Sequence, residues 1–294
     1  MRYVASLLLL LTLSLQLIAA EPSVADLEKI QAKVQMRNGQ IYGLQVNCDG
    51  YTDAEYEIIG KLTGLKSISL SGKELNDEQL KILARLKELE SIMINGSQLT
   101  DDGYRGFTAF GKLSRLSIFH PSRKQESFSG KGLAHLKAIP TLTQLTFAGA
   151  TAGDEALQAV GELTQLESFR EWHNTETSAG LKNLVKLKNL KSIRLGQRLP
   201  NWGKMTPASF DNETLAILAE IPSLETIELT EARLDFDGII QLKELPNLRV
   251  LKISQVDIAA EDVDRLEAAL PKVKIEWEPL TDEQAEMLTK KLKL

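Results

Sequence analysis

LTGLKSISLSGKELNDEQLKILARL, residues 62–86, carries two apolar periods in succession. Leu65, Ile68 and Leu70 are interleaved with Ser67 and Ser69, as in a strand with one buried face, and Leu80, Leu83 and Leu86 follow at helical spacing. The strand triplet returns at Leu89, Ile92, Ile94; Leu113, Leu116, Ile118; Leu142, Leu145, Phe147; Leu190, Ile193, Leu195; Leu224, Ile227, Leu229; and Leu248, Leu251, Ile253. Leu166 and Phe169 begin another with Glu171 in third place, Ile41, Leu44, Val46 open the series, and Leu270, Val273, Ile275 close it, about ten units in all. From Ile41 to Leu248 successive starts lie 24 residues apart, except for steps of 29 from Leu113 to Leu142 and 34 from Leu190 to Leu224. One strand and one helix per period, each unit burying its apolar face only against its neighbours, is the signature of a solenoid.

Asp53, Asp77, Asp101, Asp154, Ser178 and Asn212 each precede the helical triplet by three places, where a short polar side chain accepts bonds from the free N–H groups of a first turn. They are expected to cap helices rather than to act as catalytic acids. The pattern over residues 41–276 resembles leucine-rich repeats, specifically the bacterial type with 24-residue units. The resemblance implies an α/β leucine-rich-repeat solenoid, with a curved parallel sheet on the concave face and short helices on the convex face. The family's Asn after the strand occurs only as Asn174; Lys73, Ser97, Ala150, Ala232 and Val256 stand there in other units, so backbone or water is expected to satisfy those turns.

The ends read as caps. Residues 23–34 are expected to form an amphipathic helix with Ser23 as N-cap and Leu27, Ile30 and Val34 on one face, and Asn38-Gly39 suits a two-residue hairpin turn. Thr281 and Gln284 have capping-box spacing before a final helix carrying Met287, Leu288 and Leu292. Residues 1–20 read as a secretory signal: Arg2, a Leu-rich stretch from Leu7 to Ile18, then Ala19-Ala20. An uncleaved anchor is the rival reading, since Tyr3 to Ala20 is uncharged. The division is therefore signal 1–20, helix-hairpin cap 21–40, solenoid 41–276 and C-terminal cap 277–294, in a secreted, periplasmic or envelope protein.

With 35 Lys+Arg against 40 Asp+Glu in 294 residues, the chain carries a formal charge of -5, which excludes a generally cationic nucleic-acid binder. One cysteine, Cys48, excludes an internal disulfide or a Cys-based zinc cage and reads as a structural thiol. There is no H-E-x-x-H, G-x-S-x-G, P-loop or G-x-G-x-x-G, and no cofactor is expected. Of three histidines, His135 falls in a helix, while His120 and His173 each follow a strand and are a weak candidate pair for metal. Asn95-Gly96-Ser97 and Asn212-Glu213-Thr214 match the glycosylation sequon.

Insertions in repeat arrays map to loops on one face, often the binding face. Residues 115–132 carry Arg115, Arg123, Lys124 and Lys131 against Glu126, a charge of +3, and residues 191–210 carry Lys191, Arg194, Arg198 and Lys204, a charge of +4. Without residues 1–20 the chain has -6, which leaves -13 for the remainder. Strand alternation places Phe119, Arg170, Trp172 and Arg194 on the concave sheet beside these loops. The oversized units lie roughly 15 Å apart at three strand spacings, near enough for one ligand. Clustered Arg and aromatic residues are the usual composition of an interface hot spot, and guanidinium groups pair carboxylate, sulfate or phosphate.

These observations predict a noncatalytic binding protein that takes an acidic protein or an anionic envelope polymer through Arg115, Phe119, Arg170, Trp172, His173, Arg194, Arg198, Trp202 and Lys204. Two alternatives compete. One is a structural envelope protein that self-associates, with a basic rim that serves no partner. The other is an enzyme using Asp235 and Asp237 in the L-D-F-D-G stretch, where the same residues also suit a helix cap.

Overall fold

The computed structural model describes residues 21–122, 127–198 and 208–292. Among them eleven strands form one sheet in sequence order. They are β1 (Lys33–Arg37), β2 (Gln40–Asn47), β3 (Ser67–Ser71), β4 (Ser91–Ser97), β5 (Arg115–Pro121), β6 (Gln144–Ala148), β7 (Ser168–Trp172), β8 (Ser192–Leu195), β9 (Thr226–Thr230), β10 (Val250–Ser254) and β11 (Lys274–Trp277). β1 and β2 are antiparallel and the later pairs are parallel. Ile68 lies opposite Ile92, Ile92 opposite Leu116 and Leu116 opposite Leu145, so each apolar triplet stacks on the next. The helices cross behind the sheet, and the residues between them form one continuous core in which Leu116, Ile118, Leu145 and Ile193 are 0–1% exposed.

Short range physics fixes the ends. Asn38 and Gly39 both take positive φ, 51° and 77°, as a two-residue primed turn requires, and β1 folds back onto β2. Ser23 caps the first helix through a capping box with Asp26, whose carboxyl is drawn down to about 2 by Lys29 and Ser23. That helix is shorter than the apolar spacing predicts: it runs Val24–Lys29 and breaks at Gln31, which has φ 55°. Val34 therefore lies in β1, opposite Leu44, because pairing with β2 draws residues 33–37 into the sheet. At the other end Thr281 and Gln284 exchange backbone N–H bonds at 2.9 and 3.3 Å ahead of the helix Asp282–Leu292.

The residue at or just after the strand end is left-handed in unit after unit: Gly72, Gly96, His120, Gly149, His173, Glu231 and Gln255. Backbone groups satisfy these turns, as in Gly72 N–H to Asn95 O at 3.1 Å and Gly149 N–H to Trp172 O at 3.0 Å. Asn174 is the exception: buried, it accepts from Ala150 N–H and donates to Phe147 O. Both insertions rejoin the register at a core aromatic. Phe128 and Phe210, 4% and 1% exposed, occupy the position held by Leu75, Leu99 and Leu234 in regular units. Phe128 packs on Tyr104 with ring centroids 5.9 Å apart.

The Tyr104 hydroxyl has no partner among the described residues, and complete burial pushes the phenol above its ordinary pKa. An unpaired buried hydroxyl destabilises, so Tyr104→Phe is expected to gain about 1 kcal/mol, read as a higher urea midpoint at unchanged slope. A lower midpoint would show that the hydroxyl makes a stabilising bond.

The expectation that Asp53, Asp77, Asp101, Asp154, Ser178 and Asn212 cap their own helices is overturned. Thr52 and Asn76, one residue earlier, are the side-chain caps of their units. The carboxylates and Asn212 reach forward into the following unit instead. Asp77 accepts from Thr100 N–H and hydroxyl at 3.0 and 2.7 Å, Asp154 does the same to Thr177 at 2.8 Å each, and Asn212 accepts from Asp235 N–H. Asp101 accepts from Gly132 N–H at 2.9 Å and Ser129 N–H at 3.0 Å. Glycine at the receiving position permits this approach: a Cβ on Gly103, Gly132, Gly180 or Gly238 would fall 1.8–2.4 Å from the preceding unit. Gly103 and Gly132 lie in 3-10 turns, Asp102–Ala109 and Lys131–Ala138, whereas Gly180 and Gly238 lie in short α-helices, Ser178–Leu181 and Phe236–Ile239, that pass into 3-10 turns at Lys182 and Ile240.

Candidate functional site

Register decides which predicted residues meet. The central outward position of successive strands reads Thr146, Arg170, Arg194, Glu228, Lys252 and Glu276 in one row across the sheet. Arg170 and Arg194 are thus direct neighbours, and both reach Glu228, at 3.4 and 3.2 Å. Lys252 pairs with Glu276 at 3.0 Å. The concave face is therefore less basic than its arginines suggest, because one carboxylate is shared by two guanidiniums and Lys252 shares Glu276 with Lys274.

The next row holds Phe119, Ala148 and Trp172. Ala148 has only a methyl between the rings, so Phe119 and Trp172 lean together across it to a centroid distance of 5.9 Å. Arg194 stacks on Trp172 with its guanidinium carbon 4.6 Å from the ring centroid. Trp172 is thereby a support that fixes Arg194, rather than the open stacking platform its composition suggested. The Nε atoms of Arg170 and Arg194 are buried without a hydrogen-bond partner among the described residues.

The remaining predicted residues lie apart. Arg115 is exposed at the start of β5 and donates to Gln144 at 2.8 Å. Arg198 follows β8, its backbone N–H bonded to Ser209 at 3.1 Å and its Nε buried. Trp202 and Lys204, like Arg123, Lys124 and Glu126, lie outside the described residues.

His173 faces the C-terminal helix, where its Nε2 lies 2.8 Å from Glu231 and 2.9 Å from Lys291, and Lys291 pairs with Glu231 at 2.5 Å. Burial works to raise the pKa of Glu231, but His173 and Lys291 outweigh burial and hold it below the ordinary carboxylate range. Leu288 of the same helix is buried, while Met287 is 60% exposed. His120 binds Asn95 at 2.8 Å, so the two histidines serve different partners. Among the described residues no group of three or more His, Cys, Asp or Glu side chains is placed to hold a metal ion. Cys48 is buried beside Tyr56, and burial pushes its thiol up. Asp235 accepts from Gly238 N–H at 3.0 Å as a helix cap, the structural role its sequence context allowed.

Glu228, Glu231 and Lys291 were absent from the predicted site. Aligning the apolar triplets across the 34-residue step places Glu228 beside Arg194; nothing in the repeat pattern places residue 291 beside residue 173. Among the described residues no helix is long and apolar enough to cross a membrane.

Parallel strands stacked in sequence order, one helical crossover per unit and a core built from one recurring triplet define a leucine-rich-repeat solenoid. No protein-family model matches the chain, and no curated protein matches it. Among solved structures, an internalin C2 from Listeria monocytogenes is 18% identical with a TM-score of 0.43, covering 79% of this chain and 84% of that one. An internalin of the same organism, inlF, is 16% identical with a TM-score of 0.33, covering 82% and 88%. The leucine-rich-repeat fold of this chain stands on its own strand order and register.

Proposed function

We propose that this is an exported, noncatalytic leucine-rich-repeat protein of the bacterial 24-residue type that binds an acidic protein or an anionic envelope polymer on its concave face. The observation that supports this most is the Arg170–Arg194 pair, adjacent in register, with one shared carboxylate at 3.4 and 3.2 Å. A ligand carboxylate, sulfate or phosphate would complete both guanidiniums, and the Phe119–Trp172 stack holds Arg194 in place for it. Glu228 then acts as an internal competitor. Arg115 extends the same face, while His173 and Arg198 flank it and Trp202 and Lys204 belong to the adjoining insertion.

Poly-L-glutamate is a direct probe, by fluorescence anisotropy at low and high salt. Arg115→Glu with Arg170→Glu is expected to weaken binding by about tenfold or more, and Glu228→Gln to strengthen it a few-fold, with salt erasing both differences. Equal binding by all three proteins would remove this patch as the site.

A self-associating envelope protein is the second reading, and the N-terminal edge favours it. β1 is the outermost strand, Met36 on it is 52% exposed, and Val24 beside the same crevice is 38% exposed. An unpaired edge strand is a template for another chain. A concentration-dependent mass in sedimentation that a Met36→Lys variant abolishes would put this reading first.

A further inference from the structure

The sixth unit breaks the core pattern twice. Glu171 stands at the inward strand position of Leu70, Ile94, Ile118 and Leu195, and Glu176 at the inward position of Leu75, Leu99 and Leu234. Both are 0% exposed. Glu171 Oε2 accepts from Asn174 at 3.0 Å, but Glu171 Oε1 and both oxygens of Glu176 have no hydrogen-bond partner among the described residues. Ser209 lies beside Glu176 and favours its ionised form, yet the hydroxyl is engaged with Gln197 Oε1 and Arg198 N–H. Arg198 and Asp154 are the charged groups that act on Glu176, one favouring and one opposing its ionisation, and Glu176 is the charged group that acts on Glu171.

An ionised carboxylate in the interior with no paired donor is strongly disfavoured, and taking up a proton relieves it. Burial, then Glu176, push Glu171 well above the ordinary carboxylate range; burial pushes Glu176 up to about 7 against its own backbone N–H, Ser209 and Arg198. We infer that Glu171 and Glu176 form a proton-dependent joint between the sixth and seventh units, closed while the pair holds its protons and opening locally along β7 and β8 when it ionises.

The sign follows from linkage. With folded pKa values raised, the closed state binds more protons than the open one from about the ordinary glutamate value of 4.5 upward, so closure is complete at acid pH and lost as pH rises through about 7. Groups such as Glu88, lowered to about 2 by Lys112 and Lys66, act only below that window. Glu171 lies between Arg170 and Trp172 in β7, so opening would also misplace the concave cluster; that consequence rests on the binding reading above, whereas the joint does not.

Hydrogen exchange followed by mass spectrometry in EDTA at pH 6 and pH 8, corrected for intrinsic rates, tests it. Peptides covering 168–176 and 192–198 should lose about tenfold protection per pH unit, for each carboxyl that is protonated closed and ionised open, as pH rises through about 7, while those covering 67–97 keep theirs. Glu171→Leu with Glu176→Leu, which restores the neighbouring units' core residue, should erase the difference; should that variant not fold, Glu171→Gln with Glu176→Gln should show the acid-state protection at pH 8. Protection independent of pH, or a pH dependence retained without the two carboxyls, overturns the inference. So does recovery at pH 8 on adding calcium, which would assign the free oxygens to a cation. Poly-L-glutamate binding absent at both pH values would remove the binding reading and leave the joint standing.

Discussion

Gly132→Ala is expected to cost about 3 kcal/mol or more, the largest loss from a single added carbon in this chain. The new Cβ would sit 2.0 Å from the carbonyl oxygen of Asp101 and 2.7 Å from its carbonyl carbon and Cα. Those atoms belong to the backbone of the preceding unit, so no rotamer change relieves the contact. Separating the two units would also stretch the 2.9 Å bond from Gly132 N–H to Asp101, leaving a buried acceptor short of a donor. Urea denaturation reads the result as a lower midpoint, and a melting scan as a fall of roughly 6–12 °C for a domain this size. Gly111→Ala is the control, since nothing lies within 4 Å of its added Cβ, and it is expected to change stability by about 0.5 kcal/mol at most. Equal effects at the two positions would show that the units do not approach as closely as described. Gly103→Ala should fall between them, because its clash is with the side chain of Asp77, which has room to turn.

Phe107→Ala should cost about 3–5 kcal/mol. Phe107 is 0% exposed, and its ring meets Tyr104 edge-on at 5.6 Å and Phe110 at 6.4 Å, within an aromatic spine that Phe128 joins through Tyr104. Solenoid units stack only on their neighbours, so a cavity here has no second core to compensate it. The companion measurement is Phe119→Ala. Phe119 is half-buried on the concave face and touches Trp172, so its loss should cost only about 1 kcal/mol while reducing poly-L-glutamate binding. A comparable stability loss from both would mean that Phe119 is core and that the concave cluster is structural.

Much of the fold was legible because it depends on local and periodic physics. Alternation at Leu65, Ile68 and Leu70 specifies a half-buried strand, a 24-residue register stacks it on Leu89, Ile92 and Ile94, and Asn38-Gly39 specifies its own turn. Less of the site was legible. The outward positions of Phe119, Arg170, Trp172 and Arg194 followed from alternation, but their state did not. How far the two arginines are offset depends on Glu228, one strand from Arg194 and two from Arg170, and Trp172 lies under Arg194 because Ala148 lets it tilt toward Phe119.

By itself, then, the sequence determined the unit, its period, the face each side chain takes and the places where the period breaks, since all of these depend on neighbours a fixed number of residues apart. Tertiary structure decided the rest. Asp77, Asp101 and Asp154 bond forward rather than within their own helices because the stacking distance between units, set by glycine at the receiving turn, brings the next backbone nearer than their own. Lys291 meets His173 across 118 positions because the last helix turns back beside the post-strand turns, a contact with no period to announce it. Glu171 and Glu176 are one buried pair rather than two polar substitutions because the chain returns at Gln197 and Ser209 to seal them from water.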